Sequence, residues 1–152
     1  MLDKYDKAIL AALQKDGRIS NQELADQIGL SPSPCLRRVR ALEDSGLIVG
    51  YRALLDAKKM GLTLMALIGI SMDQHTPERF ANFESEISAI PEVLECLLIT
   101  GQQSDYQLKV VVADMEGYQH LLLNKITRIA GVTGVHTSFV LRPVINRTAL
   151  PL

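Results

Sequence analysis

The chain has 152 residues, 47% of them hydrophobic, with 16 basic and 17 acidic side chains for a formal charge of −1. That is enough apolar material for a buried core in one domain or two small ones, and it excludes a disordered tail. The even charge excludes bulk electrostatics as a reason to bind nucleic acid, so only local clustering can argue for it.

Cys35 and Cys96 lie far apart without metal-ligand spacing, as expected of a reduced intracellular chain. The opening MLDKYDK is charged, unlike a secretion signal, and the apolar run Leu64–Met72 is too short for a membrane helix. The expectation is a cytoplasmic protein with no membrane contact.

Residues 2–15 carry a helical pattern. Asp3 is placed to cap it and Asp6 sets a carboxylate in its first turn. Tyr5, Ile9, Leu10 and Leu13 share a face, and Asp16-Gly17 ends the helix. Ser20-Asn21-Gln22-Glu23 is a capping box before a short helix with Leu24, Ala25 and Ile28 inward and Gly29 as its stop. The next stretch, SPSPCLRRVRALEDSG from Ser31 to Gly46, is a third helix. Ser31-Pro32 and Ser33-Pro34 both fit a cap followed by a first-turn proline, which leaves the capping serine open; Gly46 supplies the stop.

In this third helix Leu36, Val39 and Leu42 form a narrow apolar stripe. Helical stepping sets Arg37 nearly opposite the stripe, Arg38 and Arg40 on its flanks, and Ser33, Pro34 and Ala41 nearer Arg37. Between Gln27 and Leu42 there are three arginines and no acid. Such a face is either simply solvated or presents fork-shaped donors to phosphates and guanine edges. The neighbourhood favours the second reading. A short helix, the tight Gly29-Leu30-Ser31 turn and a second helix with an exposed polar start describe a helix-turn-helix. Arg38 and Arg40 are then expected on phosphates, and Arg37 with Ser33 on base edges. Two copies in successive major grooves would require double-stranded DNA with an imperfect inverted repeat.

Leu47–Leu55 reads as a small wing or linker strand, in which Tyr51 and Arg52 either touch the DNA backbone or stiffen the link. The division expected is 1–50 for the winged helix-turn-helix, 51–61 for a linker strand and hinge, 62–145 for a second domain and 146–152 for a tail. In the second domain, residues 62–72 form a near-continuous apolar strand packed on both faces. Thr76-Pro77 starts a helix with Phe80, Phe83, Ile87 and Ile90 inward. Strands follow over 93–100 and 105–113. Asp114 caps a helix with Tyr118, Leu122, Ile126 and Ile129 inward, broken at Gly131, and 132–142 is the last strand, with Val135, Thr137, Phe139 and Leu141 on one side. The order is βαββαβ, a ferredoxin-like unit. Helices on one face leave the other open, and these strands are too apolar for water. A second copy of the same sheet is the expected cover, with the linker strand or tail as the alternative.

Catalytic chemistry is hard to place. His75, His120 and His136 sit in separate elements, and no nucleophile elbow, zinc-protease pair or phosphate loop is present. Neither catalytic residues nor a metal or cofactor are expected. Cys35, near the start of a basic helix, is read as packing. The turn Thr100-Gly101-Gln102-Gln103-Ser104-Asp105-Tyr106 has two readings. Glycine lets a ligand approach backbone amides, and Asp105 can pair with an ammonium; or the stretch is an ordinary hairpin turn. A ligand-binding ferredoxin-like enzyme and a protein-docking module are the rival functions.

Over nearly its whole length the sequence resembles the Lrp/AsnC family of prokaryotic transcriptional regulators. The carriers are LDKYDKAILAALQKDGRISNQELADQIGLSPSPCLRRVRALEDSGLIVGYRALLD and TGQQSDYQLKVVVADMEGY. The resemblance implies an α+β chain: an N-terminal winged helix-turn-helix followed by a βαββαβ ferredoxin-like (RAM/ACT-like) domain. It implies a sheet-to-sheet homodimer that assembles further to octamers, and modulation by a small molecule, usually an amino acid. Carried over, the segment Ser31 to Arg40 reads DNA, including Ser31, Ser33, Pro34, Arg37, Arg38 and Arg40. The effector loop takes Thr100, Gly101, Gln103, Ser104, Asp105 and Tyr106. Two departures from the family pattern stand out: three residues rather than two separate Gly101 from Asp105, and Ala130 stands where a proline commonly precedes the glycine.

Overall fold

The computed structural model describes residues 1–101 and 103–152. The chain divides into two compact units, Met1–Leu54 with Val144–Leu152, and Leu55–Pro143.

The first unit is built from α1 (Lys4–Lys15), α2 (Asn21–Ile28) and α3 (Pro32–Asp44). Local chemistry writes their ends. Asp3 accepts the amides of Tyr5 and Asp6 while Asp6 returns a carboxylate to the Asp3 amide, a full capping box where only a dipole partner was expected. Ser20 and Glu23 close the same device on α2, and Gly29 stops it at φ 71°. For α3 the cap is Ser31, with Pro32 at the first helical position and no side-chain cap bond. Gly46, at φ 76°, follows its end. Only glycine adopts such angles without strain.

Ile9, Leu24, Ala25, Cys35 and Leu42 are buried at the centre, with Leu10, Leu13, Ile28 and Val39 against them. One expectation is corrected here. The buried stripe of α3 runs through Cys35, Val39 and Leu42, while Leu36 is 38% exposed. Both sets obey helical spacing, so periodicity could not separate them. In this small three-helix core the compact thiol goes inward, and the helix is turned by about one residue. A second correction concerns Leu47–Leu55, which forms no strand; Val49, Leu54 and Leu55 are exposed. A strand needs a partner for its amides and carbonyls, and none of the described residues of the chain supplies one. The tail belongs to this unit. The Gln14 side-chain amide donates to the Leu150 carbonyl at 3.1 Å and accepts the Leu150 amide at 2.6 Å.

The second unit holds β1 (Leu64–Met72), α4 (Pro77–Ser88), β2 (Val93–Leu98), β3 (Tyr106–Val112), α5 (Met115–Asn124) and β4 (Val132–Phe139). All pairings are antiparallel, in the order β2-β3-β1-β4. This is the βαββαβ arrangement read from the sequence. Ala66, Ile68, Ile70, Tyr106, Leu108 and Val110 meet Phe83, Ile87, Tyr118 and Leu121 in its core. Among the described residues, Leu67 and Leu97 are exposed on the opposite sheet face.

The expected helix through Ile129 stops early. Lys125 leaves helical angles at φ −120°, and Ile126–Arg128 forms a 3₁₀ turn. Ile126 and Ile129 are both buried, and a three-residue spacing suits that tighter winding. The last strand ends at Phe139, not Arg142, and Leu141 is 99% exposed rather than aligned with Phe139. The β1–β4 ladder ends at the Ala66–Phe139 pair, beyond which the Val140 amide donates to the Met65 carbonyl. No helix among the described residues is long and apolar enough to cross a membrane.

Candidate nucleic-acid interface and effector loop

In the first unit the rotation of α3 decides which arginines are free. Ser33, Leu36, Arg37, Arg40, Ala41 and Asp44 line one shallow cleft on its outer side. Among the described residues neither Arg37 nor Arg40 has an acidic partner within ion-pair distance. Both are fork-shaped donors open to solvent. Ser31 and Ser33 are exposed at the start of the same helix and Pro34 is half-buried. The free amides of the first turn therefore lie beside the arginine face.

Arg38 is placed differently. Its Nη1 donates to Asp3 Oδ2 at 2.8 Å and to Asp6 Oδ1 at 2.7 Å, and the guanidinium lies 5.4 Å from the centre of the Tyr5 ring. The α1 cap carboxylates thus also brace α3. The first-turn amides, above all that of Asp6, and the guanidinium hold the Asp3 carboxyl below its ordinary range. The two carboxylates push Arg38 up, Asp6 first. The sequence placed Arg38 on an open flank; turning the helix brings it against α1. The signal that could have revealed this is an acid pair spaced three apart at the chain start, which caps need only in part.

Cys35 is buried, which pushes its thiol up, so the helix start does not activate it. Tyr51 stiffens the segment after α3. Its hydroxyl donates to Glu43 Oε1 at 2.9 Å, and burial followed by that carboxylate pushes the phenol up to about 12. Arg52 is exposed without an acidic partner among the described residues.

In the second unit the 100–106 turn joins β2 to β3. Gln102 lies outside the described residues. Thr100, Gly101 and Gln103 are exposed, and a side chain at Gly101 would meet open space. The Gln103 carbonyl accepts the Ser71 hydroxyl at 2.9 Å. Ser104 packs over Gly69 of β1, where any Cβ would collide with its side chain. Asp105 does not close an Asx turn on its own backbone. Its Oδ2 accepts the Met72 amide at 2.7 Å, across the sheet, and its Oδ1 lies 2.9 Å from His75 Nε2.

Tyr106, which the resemblance assigns to the effector loop, is the first residue of β3. Strand alternation sends it into the core, 1% exposed, between Phe80 and Phe83. Its hydroxyl donates to Glu84 Oε1 at 2.8 Å, and burial with that carboxylate pushes the phenol up. His75 and Glu84 are the partners the sequence did not connect to the loop, because both come from the β1–α4 region. No group of His, Cys, Asp and Glu among the described residues is arranged to hold a metal.

Comparison with known proteins agrees with this architecture. A winged helix-turn-helix DNA-binding model matches residues 2–49, and the Lrp/AsnC ligand binding domain matches residues 65–150. The Bkd operon transcriptional regulator of Pseudomonas aeruginosa is 42% identical over 151 residues, 99% of this chain and 98% of that protein. The leucine-responsive regulatory protein of Escherichia coli is 43% identical over 143 residues, 94% of this chain and 87% of that one. Among solved structures, a transcriptional regulator from Neisseria meningitidis in complex with L-Met superposes with a TM-score of 0.95 at 39% identity, covering 99% of this chain and 97% of that one. The AsnC protein of Escherichia coli superposes with a TM-score of 0.88 at 30% identity, covering 97% of each chain. With a DNA-binding unit whose free arginines share one helix face and a sensor sheet with an open loop, the chain belongs to the Lrp/AsnC family of transcriptional regulators.

Proposed function

We propose that this regulator binds an imperfect inverted repeat in double-stranded DNA as a homodimer, and that an amino acid sets its assembly or DNA affinity. The carrying observation is the division of labour on α3: Arg37 and Arg40 are open, while Arg38 is tied to Asp3 and Asp6. Arg37, with Ser33, reads base edges. Arg40 holds phosphate together with the first-turn backbone from Ser31 to Pro34. Arg38, expected on phosphate from the sequence, instead positions the helix.

The open sheet face bearing Leu67 and Leu97 supports dimerisation by sheet-to-sheet contact, with octamers as the further assembly. Thr100, Gly101, Gln103, Ser104 and Asp105 form the effector loop, with Tyr106 holding it from behind. The amino-acid class rests on the loop's carboxylate beside exposed backbone and on the L-Met bound by the Neisseria relative. The site of action is the cytoplasm.

Gel shifts with the upstream region of the chain's own gene, at low and moderate salt, test the DNA half. A thermal-shift screen of the twenty amino acids, repeated on Asp105→Ala, tests the sensor half. Light scattering with and without the best amino acid reads the assembly. No retardation at the lowest salt with every amino acid supplied removes the reading.

A further inference from the structure

We infer that His75 is part of the effector site: its imidazole covers the Asp105 oxygen that an amino-acid ammonium needs, so the ligand enters by displacing it. This rests on the effector role proposed for the 100–106 loop.

The two oxygens of Asp105 have separate duties. Oδ2 accepts the Met72 amide at 2.7 Å, which ties the loop to the end of β1. Oδ1 faces His75 Nε2 at 2.9 Å. The first contact is part-buried and uses backbone, so it is fixed; the second is made by a side chain 66% exposed. His75 sits between β1 and α4, outside any helix or strand. Apart from Asp105, the described neighbour that holds its ring is Phe80, edge-on at 5.9 Å. It is a removable cover on the outward oxygen.

The exchange favours the ligand. A primary ammonium carries a full charge and three donors, whereas the imidazole offers Oδ1 a single N–H. The ligand's charge and its two further donors tip the exchange. When His75 leaves, the ring of Phe80 loses its edge contact, and Phe80 packs at 5.5 Å on Tyr106. Ligand entry thus reaches the ring cluster behind the loop. The ligand class follows: the α-amino group must be free and charged, so an N-acetyl amino acid is refused.

Calorimetric titration of the full-length protein with L-methionine and L-leucine tests this, with N-acetyl-L-methionine as the control. His75→Ala removes the competitor and tightens binding by about 2–5-fold, the scale of one exposed polar pair. His75→Lys installs a permanently charged one and weakens binding by up to about 5-fold. Asp105→Asn abolishes binding, and the N-acetyl compound does not bind. If Asp105→Asn abolishes binding while His75→Ala leaves it unchanged or weaker, the role of His75 is overturned and the loop's stands. Binding indifferent to Asp105→Asn overturns the loop as effector site, and His75 with it. Failure of both amino acids to bind every folded variant, checked by circular dichroism, does the same.

Discussion

The assignment of the three arginines can be read from salt dependence. Each phosphate neutralised on B-DNA contributes about −0.9 to the slope of log K against log salt. In a dimer, Arg40→Ala removes two such contacts, so the slope flattens by about 1.8. Between about 50 and 200 mM salt the affinity of this variant therefore falls about tenfold less than that of the parent. Arg37→Ala acts on sequence choice, costing about 1–3 kcal/mol of discrimination at each half-site. Arg38→Ala does neither, because its Nη1 already serves Asp3 at 2.8 Å and Asp6 at 2.7 Å. It leaves the slope within about half a unit and lowers the melting temperature of the first unit, as does the double variant Asp3→Asn, Asp6→Asn. Fluorescence anisotropy on matched and scrambled duplexes over a salt series gives all three numbers. Equal flattening by Arg38→Ala and Arg40→Ala would show that Arg38 leaves its carboxylates for phosphate, and would refute the reasoning.

Three further outcomes are expected. Ile9→Ala empties the centre of a core with few buried residues and should cost about 2–5 kcal/mol, read by urea denaturation with DNA binding lost in step. Gly69→Ala drives a Cβ into Ser104 and should destabilise the second unit by about 1–3 kcal/mol, with Ser104→Gly restoring it; no restoration would separate the loop from β1. Lys125 Nζ donates to Glu92 Oε1 at 2.6 Å, and this bond holds the Glu92 carboxyl below its ordinary 4.5. A depressed folded value stabilises above the unfolded value and is lost as pH falls through the folded one. The stability gap between the parent and Lys125→Met should therefore be full above about pH 5.5 and close on acidification below 4.5, in urea melts from pH 6 to 3. A gap constant with pH would refute the pairing.

Much of the fold was legible because its signals are local. The Ser20–Glu23 box, the Thr76-Pro77 and Asp114 starts, and the stops at Gly29 and Gly46 each involve groups within a few residues of one another. Their energies depend little on the rest of the chain, so residue type and spacing specify them. The strand over 105–113 and the order βαββαβ are of the same kind. The resemblance to a regulator family added the DNA and effector roles, which spacing alone left open.

Tertiary structure decided whatever required a distant partner. Whether Leu36 or Cys35 faces inward depends on the room left by Ile9 and Leu24, not on helical period. That choice sends Arg38 to Asp3 and Asp6 and leaves Arg37 and Arg40 outside. Asp105 meets Met72 and His75 only because β1 and β3 pair side by side. Leu47–Leu55 has strand-like residues and no strand, since backbone pairing is a property of two segments and not of one. Sequence sets where elements begin and end because those energies are short-ranged; packing sets which face is used, because a face is defined only by what it meets.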